Sequence, residues 1–208
     1  MCGVGSPTRP YRGVSGPERT ARRRADLMAA AFDLLGTLGW EQATMTAICA
    51  RAKLTERYFY ESFAGRDELL VAVFEELAEQ IRAVVVHALD TAPPGPEATA
   101  RAAITVFVDL LTDDPRNGRV AMVESGATGL LRLRRHQILG EFADLIVAKS
   151  HEVFGPDALP APRDRLNALL FTGGLAEVLT AWLAGEVTAS KADIIETAVT
   201  QFVRTAHV

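Results

Sequence analysis

The segment from Thr44 to Leu70, TMTAICARAKLTERYFYESFAGRDELL, constrains the fold more tightly than any other part of the chain, because two short apolar stripes at helical spacing meet there across a tight turn. Met45, Ile48, Cys49 and Ala52 recur at steps of three and four. They therefore share one face of a helix that opens near Thr44 or Thr46, either of which can cap it. Leu54 stands in the turn and points inward. Thr55 then caps a second helix in which Phe59 and Phe63 form the buried stripe, leaving Glu56, Arg57, Tyr58 and Tyr60 on or near the outer face. A further helix opens at Arg66.

Two short helices meeting at a tight turn are the layout of a helix-turn-helix that reads DNA. The outer face carries the side chains a major-groove reader needs. Arg57 forms a bidentate pair with a guanine edge, Thr55 touches a base or phosphate, and the hydroxyls of Tyr58 and Tyr60 reach phosphate oxygens. Thr44 and Thr46 serve either as caps or as phosphate contacts. Arg66 places a cation at a helix N-terminus, where it opposes the helix dipole, so it calls for a partner such as phosphate. Cys49 reads as a small buried hydrophobe, since no His or Cys stands at metal-ligand spacing from it.

The net charge of -4 conceals a gradient along the chain. Residues 1–24 hold six Arg against Glu18 alone, whereas residues 71–208 hold 12 Lys or Arg against 18 Asp or Glu. The basic end adjoins the helix-turn-helix and reads as a phosphate or minor-groove arm, or as a solvated tail. Two cysteines make no disulfide framework, and neither a secretion signal nor a run of about 18 apolar residues is present. These features lead us to expect a cytoplasmic protein without a membrane partner. The four His residues are scattered, and no nucleophile elbow, phosphate-cradling Gly loop or metal-spaced pair occurs. The expectation is no enzyme, no catalytic residue, no metal and no cofactor.

Along the chain the pattern is all-α. Residues 1–17, rich in Gly and Pro, read as a disordered basic arm, residues 18–65 as the helix-turn-helix domain, and residues 66–208 as a larger helical domain for effector binding and dimerisation. The first helix is expected over 18–38, with Leu27, Ala31, Leu34, Leu35 and Leu38 facing the motif and Gly39 stopping it. The stripe Leu69, Leu70, Val73, Phe74, Leu77 and Ile81 carries the helix opening at Arg66 out of the first domain, which makes it the mechanical link. TAPPGPEA breaks the chain at 91–98, and helices follow over about 97–111, 116–125, 130–154, 162–183 and 190–205.

At the motif the chain resembles the tetracycline-repressor (TetR) family of bacterial transcription regulators. LLGTLGW (Leu34 to Trp40), the Thr-initiated helix with Ile48 and Ala52, YFYESF (Tyr58 to Phe63) and RDELL (Arg66 to Leu70) fall in the family's order and spacing, over about the first third of the chain. Two positions depart from it. Lys53 stands where the family usually has a turn Gly, which implies roughly 1 kcal/mol of strain if the backbone takes positive φ. Arg57 stands where a Gly is common in the reading helix, so base preference is this chain's own.

The resemblance implies a homodimer on a palindromic operator, two reading helices about 34 Å apart, and release by a small, mostly apolar molecule. Repression is expected by resemblance. For the dimer interface, Leu169, Gly173, Ala176, Leu179 and Leu183 form an apolar band, joined by Ile195 and Phe202 on the last helix. Gly173 and Gly174 allow close approach. For the effector, Phe107, Met122, Leu130, Leu133, Phe142, Phe171, Val178 and Trp182 are candidate walls, with Glu124, Arg134, His136 and Asn167 as polar contacts. The competing reading is a helical small-molecule-binding protein or enzyme whose N-terminal domain mediates protein contact.

Overall fold

A computed structural model describes residues 16–207. The expected disordered arm lies mostly outside them, along with Arg9, Arg12 and Cys2. Nine α-helices are present among the described residues: α1 (Gly16–Leu38), α2 (Met45–Ala52), α3 (Glu56–Tyr60), α4 (Arg66–Thr91), α5 (Pro96–Asp113), α6 (Pro115–Gly118), α7 (Gly129–Phe154), α8 (Arg163–Leu183) and α9 (Lys191–Thr205). No strand forms among them beyond a single bridge between Ala158 and His207. The all-α architecture is as the periodicity implies.

Local chemistry explains most boundaries. Pro96 and Pro115 occupy the first turns of α5 and α6, where a missing N–H costs nothing. Asp114, Thr128 and Ser190 accept hydrogen bonds from the exposed N–H groups of α6, α7 and α9, and Ser190 with Asp193 completes a capping box. α1 begins at Gly16, two residues before its expected start.

Two expectations fail for tertiary reasons. Residues 116–125 do not form one helix: α6 stops at Gly118, a π turn follows over Arg119–Val123, and a 3-10 turn over Glu124–Gly126. Gly118, where the change of winding begins, sits so tightly that a Cβ there would lie 2.6 Å from the Leu111 carbonyl and 2.9 Å from Leu183. Leu38, the last residue of α1, does not face the motif but is 56% exposed, because Leu34 and Leu35 take the inward side of that turn.

One apolar core runs through both halves. Leu27, Leu34 and Leu35 of α1, Ile48 of α2 and Phe59 of α3 join Leu69, Leu70, Val73 and Leu77 of α4 in it. The same core continues to Val108 and Leu111 of α5, Leu179 of α8 and Val199 of α9. α4 packs against α1 at one end and against α5 and α7 at the other, so it is mechanically shared between the motif and the C-terminal helices.

Candidate nucleic-acid interface and effector cavity

The turn between α2 and α3 is closed by Lys53, whose backbone at φ 56° and ψ 38° is left-handed, the one positive-φ non-glycine position among the described residues. Its N–H reaches the Ala50 carbonyl at 3.2 Å and the next N–H, of Leu54, reaches Cys49 at 3.0 Å. The strain expected where the family usually has Gly is therefore present, and the ammonium stands exposed at the turn. Thr44 caps α2 by accepting from the Ala47 N–H at 3.2 Å, while Thr46 is exposed on the first turn. Thr55 occupies the N-cap of α3 but its hydroxyl makes no capping bond, contrary to expectation.

On α3 the side chains divide. Phe59 is wholly buried and Phe63 nearly so. The Arg57 side chain is 85% exposed and meets only Glu61, at 3.2 Å, an exposed pair that yields readily to a stronger acceptor. Tyr60 projects outward at 60% exposure, and Glu56 is exposed beside it. Tyr58, expected outside, is half-buried beneath the Arg23 guanidinium, 4.1 Å from the ring centre, and Arg23 also reaches Glu61 at 3.4 Å. Arg24 stacks on Phe63 at 4.1 Å and donates to the Ser62 carbonyl. Two arginines of the basic cluster thus brace α3 through cation–π contacts that have no sequence-local signature.

Arg66 is corrected in the same way. Its guanidinium lies 3.8 Å from the Trp40 ring and donates to the Trp40 carbonyl, so the cation at the head of α4 finds its partner inside the protein. Cys49 is buried, and burial with the nearby Glu56 charge pushes its thiol up, the state of an unreactive packing residue.

A cavity lies between α4, α5, α7 and α8, with a volume of about 170 Å³. Its walls on α7 run from Arg135 to Phe154, about 28 Å at 1.5 Å per residue. Phe74, Ala78 and Ile81 of α4, Phe107 of α5, Met122 of the π turn, and Phe142 and Phe171 line it, so four of the expected contacts, Phe107, Met122, Phe142 and Phe171, are on its walls. The others, Asn167 among them, are not. Glu124 is turned toward Trp40, His136 is exposed on α7, and the Trp182 indole N–H donates to the Ala189 carbonyl at 2.9 Å. Leu130, Leu133 and Val178 face solvent, and Arg134 is held by Glu75 and Glu141. The lining includes no carboxylate. Its two cations are Lys149, paired with Asp90 and Glu152, and Arg135.

The dimer candidates also separate. Leu169 and Gly173 lie on the outer side of α8, but Ala176 and Leu179 are buried inside the chain, and Leu183 packs beside Gly118. Ile195 and Phe202 pack on the core, Phe202 with its ring 5.1 Å from Phe171. α8 is apolar nearly all round, so its pattern does not reveal its inward side. The uncovered face is instead Leu166, Leu170, Gly173, Gly174 and Val178, with Leu170 76% exposed, and a Cβ on either glycine would meet nothing within 4 Å. Among the described residues α8 alone is long and apolar enough to cross a bilayer, yet Ala168, Thr172, Ala176 and Leu179 are buried against its neighbours.

Polar contacts join the end of α1 to the π turn. Glu124, 8% exposed, accepts from the Trp40 N–H at 2.9 Å through one oxygen and from Arg119 Nε at 3.0 Å through the other. Arg119 also donates to the Thr37 carbonyl at 2.9 Å. Asp33 on α1 bridges Arg116 at 3.1 Å and Arg51 of α2 at 2.5 Å. Gly39, at φ 87°, is required here twice over: for its backbone, and because a Cβ would lie 2.6 Å from the Arg119 guanidinium.

A short capped helix, a left-handed turn and an exposed second helix, braced by α1 and α4, define the N-terminal unit as a helix-turn-helix of the DNA-binding class. Residues 27–73 match the profile of the bacterial regulatory proteins of the tetR family. The whole fold is similar to solved structures. The fatty acid degradation regulator FadR from Bacillus halodurans aligns at 17% identity and a TM-score of 0.72, over 90% of this chain and 95% of that one. FadR from Bacillus subtilis, solved in complex with stearoyl-CoA, aligns at 16% identity and a TM-score of 0.72, over 88% of this chain and 99% of that one. A TetR-family regulator from Syntrophomonas wolfei gives 13% identity and a TM-score of 0.72, over 86% and 92%. At these identities the likeness is one of fold.

Proposed function

We propose that this protein is a ligand-responsive transcription regulator that binds a palindromic operator as a homodimer and is released from it when a small apolar molecule fills the cavity. The observation that carries the reading is the exposed face of α3 and its turn, where Lys53, Thr55, Arg57 and Tyr60 stand free of the core within a tetR-family domain. In this reading Arg57 contacts a base edge, while Lys53, Thr46, Thr55 and Tyr60 contact phosphates. Residues up to 65 bind DNA and those from 66 onward bind effector and partner. The outer face of α8 meets its twofold copy, since a monomer would leave Leu166 and Leu170 in water. Repression follows from occupying promoter DNA in the cytoplasm.

The apolar walls, their length along α7 and the absence of lining carboxylates support a single-chain apolar effector with a negative or neutral head. A long acyl thioester of the kind bound by the Bacillus subtilis neighbour meets this description. Mapping of bound DNA across the source genome tests the regulator reading, with enrichment at a few palindromic sites expected. Loss of that enrichment in Arg57→Ala with Tyr60→Ala is the expected control, and uniform low-affinity binding in both proteins would refute the reading face. A gel shift with stearoyl-CoA tests release.

A further inference from the structure

Glu124 has the composition of an effector contact and the position of something else. Its carboxylate is buried, and a buried charge persists only when its bonds are made; here they are Trp40 N–H and Arg119. Ala121 and Met122, within three residues of it on the same distorted stretch, are walls of the cavity. The stretch is wound as a π turn, a feature that recurs at functional sites. At the other end of the bond, Trp40 carries Arg66, the first residue of α4, stacked on its ring. The neighbouring Asp33 ties the same end of α1 to Arg51 of α2. Cavity wall, carboxylate, Trp40 backbone and the two helices flanking the reading helix thus form one contiguous chain of contacts.

We infer that Glu124 is a positioning residue that couples cavity occupancy to the DNA-reading unit through the Trp40 backbone. The inference rests on the regulator reading above. A cavity of about 170 Å³ is close in size to the roughly 150 Å³ engineered apolar cavity that binds benzene, so a longer occupant must move its walls. Displacement of Met122 moves the π turn, and the carboxylate then either draws Trp40 with it or leaves a part-buried N–H unpaired. Either result biases the placement of α2 and α3, which is the differential interaction that regulation requires. α4 also lines the cavity, so the contribution of Glu124 must be separated from that route.

A mutant cycle does this without an identified ligand. Ala103 lines the cavity from α5 and belongs to neither the π turn nor α4, and Ala103→Phe fills it with the protein's own side chain. Binding is measured by anisotropy on a duplex selected from random DNA by the full-length wild-type protein. Ala103→Phe is expected to weaken binding about tenfold in the wild-type background, less than threefold in Glu124→Ala, and again about tenfold in Glu124→Gln, whose side-chain oxygen can still accept from Trp40. An equal loss in all three backgrounds overturns the role of Glu124 and leaves the regulator reading standing. No loss in any background overturns both. Should Glu124→Ala not fold, exchange of the Trp40 amide decides: Ala103→Phe is expected to speed it at least tenfold, and unchanged protection overturns the inference.

Discussion

The outer faces of α3 and α8 are both left uncovered by the protein's own packing, yet they differ in kind. On α3 the exposed groups are a guanidinium, a phenol and hydroxyls around two buried Phe rings, whereas on α8 they are Leu166, Leu170 and Val178 flanking a pair of glycines. The first face is stable in water and selective for a charged, hydrogen-bonding partner. The second loses free energy in water at roughly 25 cal/mol per Å² of apolar surface and is suited to an apolar copy of itself. A regulator that reads a palindrome needs both, since the apolar contact sets the spacing at which the polar ones meet DNA.

The contrast can be broken most severely at α8. Leu170→Glu removes nothing from the core, so the helical circular dichroism is expected to be unchanged. Light scattering is expected to report a monomer, and operator affinity to fall on the order of a hundredfold, the loss of a central interface anchor of 2 kcal/mol or more. At α3, Arg57→Ala is expected to cost about 1–3 kcal/mol of operator binding and to relax preference at one base position, read by binding to a substituted duplex series, with the dimer intact.

Smaller substitutions sharpen the comparison through their signs. Lys53→Gly relieves a left-handed backbone and is expected to raise unfolding free energy by about 1 kcal/mol in urea. The same change is expected to reduce the salt dependence of DNA binding by about one phosphate contact. Gly174→Ala is the mirror case. A monomer has open space for the methyl and gains about 0.5–1 kcal/mol of helix propensity, while a closely approached twofold interface weakens, so dimer affinity and monomer stability should move in opposite directions.

The smallest effect touches neither face. Asp114 caps α6 and is held below the usual carboxylate range by the Arg116 guanidinium. Because its folded value is depressed, its contribution is complete above the unfolded value near 4 and is lost as pH falls through and below it. Urea titrations between pH 3 and 6 are expected to show a shallower acid slope in Asp114→Asn.

Much of the fold was legible because its punctuation is local. TAPPGPEA separates α4 from α5, Thr128 starts α7, and Ser190 with Asp193 starts α9, each by chemistry complete within a few residues. The motif was legible for the same reason, whereas the left-handed backbone of Lys53 was settled only by the structure. What periodicity missed depends on distant neighbours. The π turn begins beside Gly118, whose close approach to Leu111 and Leu183 has no local mark in the sequence, and the partner of Glu124, Trp40, lies far away in sequence. Arg23, Arg24 and Arg66 have the charge of phosphate contacts, but the aromatic rings they stack on lie outside their local sequence.

The sequence by itself therefore determined the all-helical class, most of the helix order and the helix-turn-helix at 44–70, since caps, turns and apolar spacing act over one or two helical turns. Only the tertiary structure decided which side of α8 faces outward, which residues wall the cavity, and that Glu124 answers Trp40. A helix apolar on all sides carries no inward mark of its own, and a charge finds its partner through space. Both are settled when the helices pack.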